Sequence, residues 1–341
     1  MRYKLLGRSG LRVSELCLGT MTFGQDWGWG ASKEESQRIF DAFADAGGNF
    51  IDTACNYTEG TSEKFVGEFV ASDRDYFVIA TKYTLRPRHA NKMDPNFGGN
   101  NRKNLMRSVD ASLKRLNTDH IDLLYLHMWD YTTGLSEVMR GLDDLVRAGK
   151  VLYVGFSDTP AYVVAKANML ADFHALSPIV AIQVPYNLVR RDPERELFPM
   201  AKEEDISVTV WGMLGGGILT GKYRDADAQK RYEKASERGM VFADKVVDLA
   251  QEIGHSPSQV AINWVRQQQS KAQIIPILGA RNLDQLNDNL GVLDFELSTK
   301  QLTLIEEFSD FELGFPWSFL HDEEVLELIH GDTHQILDRH R

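Results

Sequence analysis

Short apolar runs alternate with stretches of helical spacing along this chain, and the alternation repeats eight times. The apolar runs, which we interpret as strands, are residues 16–20, 49–53, 76–82, 121–127, 151–157, 179–184, 206–211 and 273–277. Strands separated by helices pair in parallel through right-handed crossovers. Eight such units predict a closed (β/α)8 barrel rather than an open doubly wound sheet.

The length of 341 residues is compatible with one barrel or with two smaller domains. Barrels of this type run from about 200 to over 400 residues, and no linker rich in proline, serine and glycine divides the sequence. We therefore predict a single domain over residues 1–341. It begins with a β-hairpin at residues 3–14, turning at Arg8-Ser9-Gly10, and ends in a tail of roughly forty residues. The long irregular stretches 84–101 and 212–239 are expected to carry function.

Several helix boundaries have local sequence signals. Ser32 and Glu35 form an S-x-x-E capping box, and Gly149 is placed to end the fourth helix in a left-handed conformation. A capping side chain stands before a first-turn proline at Thr159-Pro160, Asp192-Pro193 and Ser256-Pro257. These signals predict where four helices begin and where one ends.

Charge and cysteine content exclude several classes of protein. The formal net charge is −11 and the isoelectric point is about 5.3, so the surface disfavours nucleic acid and anionic membranes. Cys17 and Cys55 fit neither a zinc site nor a disulfide framework, and the nine histidines lack ligand spacing. No apolar run reaches the roughly 18 residues that span a bilayer. We predict a cytoplasmic protein without a bound metal.

Four chemically useful residues follow three consecutive predicted strands. Asp52 ends the second strand with Tyr57 five residues beyond it, Lys82 ends the third, and His127 ends the fourth. Active sites of (β/α)8 barrels lie at the carboxyl ends of the strands, so these side chains are expected to converge. A nearby ammonium lowers the pKa of a phenol, and Asp52 would keep Lys82 charged. A neutral His127 would orient a carbonyl oxygen.

Each of these four residues also has an ordinary structural interpretation. A loop tyrosine is usually packed on the surface, a lysine at a strand end is usually solvated, and Asp52 followed by Thr53 fits a turn or a cap. A histidine between Leu126 and Met128 fits the core. The functional interpretation rests on all four occurring together.

Longer stretches around these residues carry a family resemblance. They are NFIDTACNYTEGTSEKFVG (49–67), FVIATKY (77–83), DLLYLHMWD (122–130), VLYVGFSD (151–158), WGMLGGGILTGKY (211–223) and IPILGARNLDQLNDNL (275–290). In this order they resemble the aldo-keto reductase superfamily over about residues 1–310. The resemblance implies a barrel without a separate dinucleotide-binding domain, NADPH-dependent reduction of a small carbonyl compound, and a catalytic tetrad at Asp52, Tyr57, Lys82 and His127.

The resemblance also implies a set of residues that bind NADP(H). Two of the departures from the family pattern concern contacts to the cofactor. Asp158 replaces the commoner Asn, and Gly212 stands where the family usually has a serine, which leaves pyrophosphate contact to backbone N–H groups and Lys222. Arg281 suits a 2′-phosphate, because guanidinium groups bind phosphate with two hydrogen bonds. The full set is Gly19, Thr20, Met21, Asp52, Ser157, Asp158, Gln183, Trp211, Gly212, Met213, Leu214, Gly215, Gly216, Lys222, Gly279, Arg281, Gln285, Asp288 and Asn289.

Aromatic residues in the stretches expected to overhang the barrel mouth predict an apolar or aromatic carbonyl substrate. They are Trp27, Trp29, Tyr83, Trp129, Tyr131, Phe315 and Trp317. Arg86, Arg88, His89 and Lys92 in the third loop would instead suit an anionic group, but Pro87 and the surrounding turn formers favour a solvated loop. Cys55 is interpreted as a packing residue rather than a redox-sensitive thiol.

Parts of the sequence also fit functions other than that of a reductase. Gly216 to Lys222 spells G-x-x-x-x-G-K, but Tyr223 replaces the hydroxyl residue that a P-loop needs for Mg²⁺. The β subunits of voltage-gated potassium channels share the fold and motifs, so a cofactor-sensing subunit is the main alternative. A dehydrogenase working mainly from alcohol to carbonyl is a further one. Channel subunits tend to have Asn in place of the histidine, so His127 favours an enzyme.

Overall fold

The computed structural model describes residues 1–90, 92–225, 236–333 and 335–337 and contains a closed parallel barrel of eight strands. The last barrel strand pairs with both the first and the seventh, which closes the ring. The predicted fold class and all eight predicted strands are therefore confirmed, with ends that differ by one or two residues. The barrel strands are β3 Cys17–Gly19, β4 Phe50–Asp52, β5 Val78–Tyr83, β6 Ile121–Leu126, β7 Val151–Ser157, β8 Ile179–Pro185, β9 Ser207–Trp211 and β10 Ile274–Gly279.

The predicted N-terminal hairpin is present as β1 Tyr3–Leu5 and β2 Arg12–Ser14, which pair antiparallel. Leu6 and Val13 pack against Phe50 and Val78, the first residues of two barrel strands. Gly7 has a φ of +53°, and a Cβ there would clash with the carbonyl oxygen of Val180. The hairpin therefore closes the amino-terminal end of the barrel and leaves the other end open.

The helices surround the strands and bury an apolar layer between themselves and the barrel. Two of them, Glu237–Ile253 and Pro257–Arg266, lie between β9 and β10. The helices are α1 Lys33–Asp45, α2 Thr61–Phe69, α3 Arg102–Leu116, α4 Leu135–Arg147, α5 Ala161–His174, α6 Leu197–Glu203, α7 Glu237–Ile253, α8 Pro257–Arg266, α9 Leu283–Leu290, α10 Thr299–Phe308, α11 Trp317–Leu320 and α12 Glu323–His330. None of the described helices has the length and apolarity needed to cross a membrane.

The helix-boundary predictions are partly right. Ser256 starts α8 with a complete capping box, and Gly149 follows α4 with a φ of +71°. Ser32 caps α1, but the Glu35 carboxylate accepts from the backbone N–H of Leu283 at 2.7 Å instead of returning to the cap. The box is incomplete because this carboxylate ties α1 to α9.

Two predicted caps are wrong. The hydroxyl of Thr159 donates to the carbonyl oxygen of Ser157 at 2.8 Å, and α5 begins after Pro160. Asp192 lies inside a short 3₁₀ turn and pairs with Arg195. In both cases a nearer polar partner competes for the side chain.

The predicted tail is more helical than its sequence indicated, since α10, α11 and α12 lie at its start and within it. It is anchored beyond α10, where Arg191 donates to the carbonyl oxygen of Ser309 and Arg195 to that of Leu313. In the predicted irregular stretches, residues 215–224 form two 3₁₀ turns, while residues 91 and 226–235 lie outside the described residues. Both stretches start at the carboxyl ends of barrel strands, where the site is found.

Candidate active site

Asp52, Tyr57, Lys82 and His127 lie together at the carboxyl end of the barrel. Asp52 is the last residue of β4, Lys82 the next to last of β5, and His127 follows β6 directly. The ammonium of Lys82 lies 2.6 Å from Asp52 Oδ2 and 3.1 Å from the Tyr57 hydroxyl. The Tyr57 and His127 rings meet edge to face at 5.9 Å. The topology of adjacent parallel strands thus brings the four side chains together.

Lys82 is fully buried and is held in its charged form. Burial alone disfavours an ammonium, but the Asp52 carboxylate and the Tyr57 hydroxyl outweigh this effect, and the pKa of Lys82 rises to about 12. The ammonium also donates to the carbonyl oxygen of Thr53 at 2.8 Å. A buried charge with three hydrogen-bonding partners is fixed in position.

The Tyr57 hydroxyl keeps its proton at neutral pH. Burial raises the pKa of Tyr57, and the neighbouring Lys82 offsets only part of that increase. Lys82 lowers the pKa of this phenol, as expected, but removal from water outweighs the ammonium, so the pKa lies above its ordinary value. Tyr57 has the protonated form that a proton donor requires.

The backbone after Tyr57 is strained. Thr58 and Glu59 have φ values of 43° and 59°, in the left-handed region that side chains rarely adopt. The Thr58 hydroxyl donates to the carbonyl oxygen of Phe23 at 2.6 Å, and the Glu59 carboxylate accepts from the Trp27 indole at 2.8 Å. These bonds hold the strained turn and, with it, the direction of the Tyr57 side chain.

His127 is buried and neutral. Burial, reinforced by the charge of Lys82, holds the pKa of His127 well below its usual range. Its Nδ1 has no hydrogen-bond partner among the described residues. An unpaired acceptor is better tolerated there than an N–H without an acceptor, so we assign the proton to Nε2. The ring lines the cavity, and with this tautomer its Nε2–H is available as a neutral hydrogen-bond donor.

A cavity of about 950 Å³ extends from these residues across the barrel mouth. Of the predicted site residues, Thr20 and Lys82 do not line it. The Thr20 hydroxyl donates to the backbone carbonyl of Asp52 at 2.9 Å, so Thr20 supports Asp52 from behind. The predicted site residues that line it are Gly19, Met21, Asp52, Tyr57, His127, Ser157, Asp158, Gln183, Trp211, Gly212, Met213, Leu214, Gly215, Gly216, Lys222, Gly279, Arg281, Gln285, Asp288 and Asn289.

Asp158 and Gln183 line the cavity beside the four central residues. The Gln183 amide donates to Asp52 Oδ1 at 2.7 Å, so it also holds the second oxygen of that carboxylate. Asp158 has a φ of +41° and is exposed towards the cavity. The surrounding protein nevertheless removes much of the water around the carboxyl group, and this desolvation raises the pKa of Asp158 to about 6. A hydrogen bond from the Trp211 side chain opposes the rise. The charge of Asp158 therefore changes near pH 6.

Positive charge collects at another part of the same cavity, around Lys222 and Arg281. Burial and then the charge of Arg281 lower the pKa of Lys222, which shows that the two cations lie close together. Gly215, Gly216 and Gly217 all have positive φ, and a Cβ on Gly217 would clash with Lys222 Cε. Such a turn next to two cations has the character of a phosphate-binding site, and we refer to it as the phosphate cradle.

Side chains of the loop after β10 mainly hold that loop in shape. Gln285 accepts from the backbone N–H of Arg281 at 2.9 Å, and Asn289 donates to the carbonyl oxygen of Gly279 at 3.2 Å. Asp288 accepts from the Ser256 hydroxyl at 2.9 Å. The Arg281 guanidinium lies 5.5 Å from the Trp29 ring.

The expected aromatic wall is largely absent. Of the seven aromatic residues, Trp27 lines the cavity, whereas Tyr83 is buried in the core. Tyr131 and Phe315 are 72% and 84% exposed. Their positions depend on long loops whose path the sequence does not specify. The basic residues of the third loop do not line the cavity either, and Arg86, Arg88 and His89 are exposed, as predicted for a solvated loop.

Cys55 is a packing residue. Its thiol donates to the carbonyl oxygen of Leu85 at 3.2 Å, and burial raises the pKa of Cys55 to about 12. A thiol that stays protonated at neutral pH is a poor nucleophile and a poor redox sensor.

Sequence reasoning missed six polar residues of the cavity wall: Thr22, Asn56, Asn187, Arg190, Thr220 and Ser258. Asn187 and Arg190 follow β8 at its carboxyl end, where the rule applied to the other strands would have found them. Instead only Gln183, inside the strand, was selected. In the part of the chain that the structure describes, no group of three or more acidic, histidine or cysteine side chains could hold a metal ion.

Comparison with known proteins gives a consistent result. A sequence model described as the aldo/keto reductase family matches residues 15–310. A norsolorinic acid reductase from Emericella nidulans is 40% identical over 92% of this chain and 83% of its own length. An aryl-alcohol dehydrogenase from Pestalotiopsis microspora is 39% identical over 94% and 85%. An NADP(+) aryl-alcohol dehydrogenase from Phanerodontia chrysosporium is 37% identical over 94% and 89%.

Proposed function

This chain belongs to the aldo/keto reductase family of oxidoreductases, and we propose that it reduces an aromatic aldehyde or ketone with NADPH, using Tyr57 as general acid. The observation that carries the proposal is the 3.1 Å contact between the Tyr57 hydroxyl and the buried Lys82 ammonium. A protonated phenol beside a fixed cation can release its proton, because the cation stabilises the phenolate that is left. The names of the relatives support an aromatic substrate.

The size of the cavity supports the binding of NADPH together with a substrate. Its volume of about 950 Å³ is at the upper end of the roughly 300–1,000 Å³ range of ligand sites. Lys222 and Arg281 would bind the phosphate groups with the backbone of the glycine turn. Asp158 and Gln183 would bind the nicotinamide carboxamide. When bound, NADPH would supply a hydride to the carbonyl carbon of the substrate.

The residues of this chain then act on the oxygen atom of that carbonyl group. His127 Nε2 donates to it and fixes its orientation, and Tyr57 transfers its proton to the same oxygen to give the alcohol. Lys82 stabilises the Tyr57 phenolate until water returns a proton, and Asp52 keeps Lys82 charged and in place. In the reverse direction, Tyr57 would act as the base.

The alternative function, a cofactor-sensing subunit of the potassium-channel type, is not favoured. The relatives are named as reductases and dehydrogenases, and this chain has a histidine at position 127.

A direct test is NADPH oxidation by the purified protein over a panel of aromatic aldehydes, quinones, steroid-like ketones, sugars and sugar phosphates. We expect the highest kcat/KM with an aromatic carbonyl compound. A sugar phosphate that exceeds every aromatic compound by tenfold, or about 1.4 kcal/mol of transition-state binding, would contradict the substrate class. Tight NADPH binding without turnover of any compound would support the sensing subunit.

A further inference from the structure

Arg190 is a charged residue of the cavity wall that the proposed reaction does not use. It follows β8 in the turn 187–190 and lines the same cavity as Tyr57 and His127. Arg191 and Arg195 both pair with carboxylates. By contrast, the Arg190 guanidinium forms no ion pair or hydrogen bond with any residue that the structure describes, and the residue is exposed. A cation without a partner in a binding cavity is available to a ligand.

The turn that carries Arg190 is rigid. The backbone N–H groups of Asn187 and Arg190 donate to each other's carbonyl oxygens at 3.1 and 3.0 Å. The Asn187 side chain accepts from the Arg190 N–H at 2.9 Å and donates to the carbonyl oxygen of Gly212 at 2.8 Å. These hydrogen bonds already fix the backbone of residues 187–190. The backbone therefore loses little conformational entropy when Arg190 binds a ligand.

The charged groups that interact electrostatically with the same residue as Arg190 place it on the reactive side of the cavity. The charges of Lys82 and Arg190 both act on Asp158, lowering its pKa, and the charge of Asp158 acts in turn on Tyr57. At the phosphate cradle, by contrast, the cation that acts on Lys222 is Arg281. Arg190 is therefore grouped with the catalytic residues rather than with the cradle.

The surroundings of Arg190 suit a flat ligand that carries an acidic group. The neighbouring Val189 lines the cavity, as do Trp211 and Ile218. These side chains make part of the cavity wall apolar. A guanidinium at the edge of an apolar surface binds a carboxylate or phenolate through two hydrogen bonds while the ring contacts the surface.

We propose that Arg190 determines substrate specificity by binding an acidic substituent, a carboxylate or an ionised phenol, of the aromatic carbonyl substrate. This inference rests on the proposed function, because it names the substrate class of the same site. The −11 net charge of the chain disfavours anions in general, so a local cation is needed to select them.

The catalytic test uses two aldehydes with the same ring, 4-carboxybenzaldehyde and methyl 4-formylbenzoate. In Arg190→Met, we expect kcat/KM for the acid to fall by about tenfold or more, since the hydrogen bonds to a charged group are lost, while the ester changes less than about twofold. Arg190→Lys should give an intermediate value for the acid, because charge remains without the planar fork. The control Lys166→Met removes an exposed charge on α5 and should affect neither substrate.

A binding test does not depend on turnover. Calorimetric titration with 2-naphthoate should show weaker binding to Arg190→Met than to the wild type by a similar factor. Unchanged naphthoate binding and an unchanged preference for the acid would overturn the proposal. An equal loss for both aldehydes with a raised Kd for NADPH would also overturn it, because Arg190 would then serve the cofactor. Loss of naphthoate binding in a protein that reduces no carbonyl compound would refute the proposed function and retain the anion site.

Discussion

At the residue scale, the two carboxylates Asp52 and Asp158 of the same cavity differ in their partners. Asp52 is in contact with a cation, and Asp158, among the described residues, is not. Asp52 lies 2.6 Å from the Lys82 ammonium and accepts a second hydrogen bond from Gln183. Asp158 has the Trp211 side chain as its hydrogen-bond donor, and its pKa is raised to about 6. The charge of Asp158 therefore changes as the pH passes through about 6.

Asp158 is expected to make the binding of oxidised and reduced cofactor depend differently on pH. Above pH 6 its negative charge attracts the positively charged nicotinamide of NADP+, and below pH 6 the group is protonated and this attraction is lost. We predict that the preference for NADP+ over NADPH falls as the pH drops from 7.5 to 5.5. Both forms carry the same phosphates, so the ratio of their Kd values isolates the ring charge.

Tryptophan fluorescence titration of both cofactor forms measures this ratio. Asp158→Asn should give a ratio that is independent of pH and close to the wild-type ratio at pH 5.5. If the wild-type ratio is already flat, Asp158 does not face the nicotinamide.

Arg281 is expected to select NADPH over NADH. It lies close to Lys222 at the edge of the glycine turn, where a 2′-phosphate would receive charge-assisted hydrogen bonds. Arg281→Ala should weaken NADPH binding by roughly 1.5–3 kcal/mol and NADH binding much less. The matched control is Arg224→Ala, which removes an exposed arginine that pairs with Asp244. An equal loss for both cofactors would mean that Arg281, beside Trp29, only supports the loop.

At the element scale, the segments that follow the strands are positioned by side chains bonded to the backbone. The Ser256 hydroxyl caps α8 and also donates to Asp288 on α9 at 2.9 Å. The Glu35 carboxylate of α1 accepts a hydrogen bond from the backbone N–H of Leu283, the first residue of α9. The loop that carries Arg281 is thus fixed from two neighbouring helices.

Removing the Ser256 hydroxyl should destabilise the fold. A lost N-cap costs about 1 kcal/mol, and here the Asp288 contact is lost as well. Ser298 forms the same capping box at α10 and lacks a comparable third partner among the described residues. We therefore predict a larger decrease in melting temperature for Ser256→Ala than for Ser298→Ala, measured by calorimetry. Equal decreases would show that the contact between α8 and α9 contributes nothing.

At the scale of the whole molecule, the barrel could be predicted from the sequence because the apolar residues of each strand and each helix repeat with the period of that element. Parallel pairing then brings Asp52, Lys82 and His127 to one end without further information. The long loops lack such a period, and their path depends on tertiary contacts. For this reason the aromatic wall was expected around Tyr83, which is buried. Arg190 was missed for a different reason, because only Gln183, inside β8, was taken from that strand. The caps at Thr159 and Asp192 failed because competing partners are visible only in three dimensions.

The central claim is that Tyr57 donates the proton, and Tyr57→Phe tests it most directly. The variant keeps the ring and loses only the hydroxyl that contacts Lys82. We predict that kcat for an aromatic aldehyde falls by at least about 10²-fold, the usual contribution of a general acid, while the Kd for NADPH is unchanged. Tyr131→Phe, which alters an exposed hydroxyl near the mouth, should retain full activity. A kcat near the wild-type value in Tyr57→Phe would contradict the account.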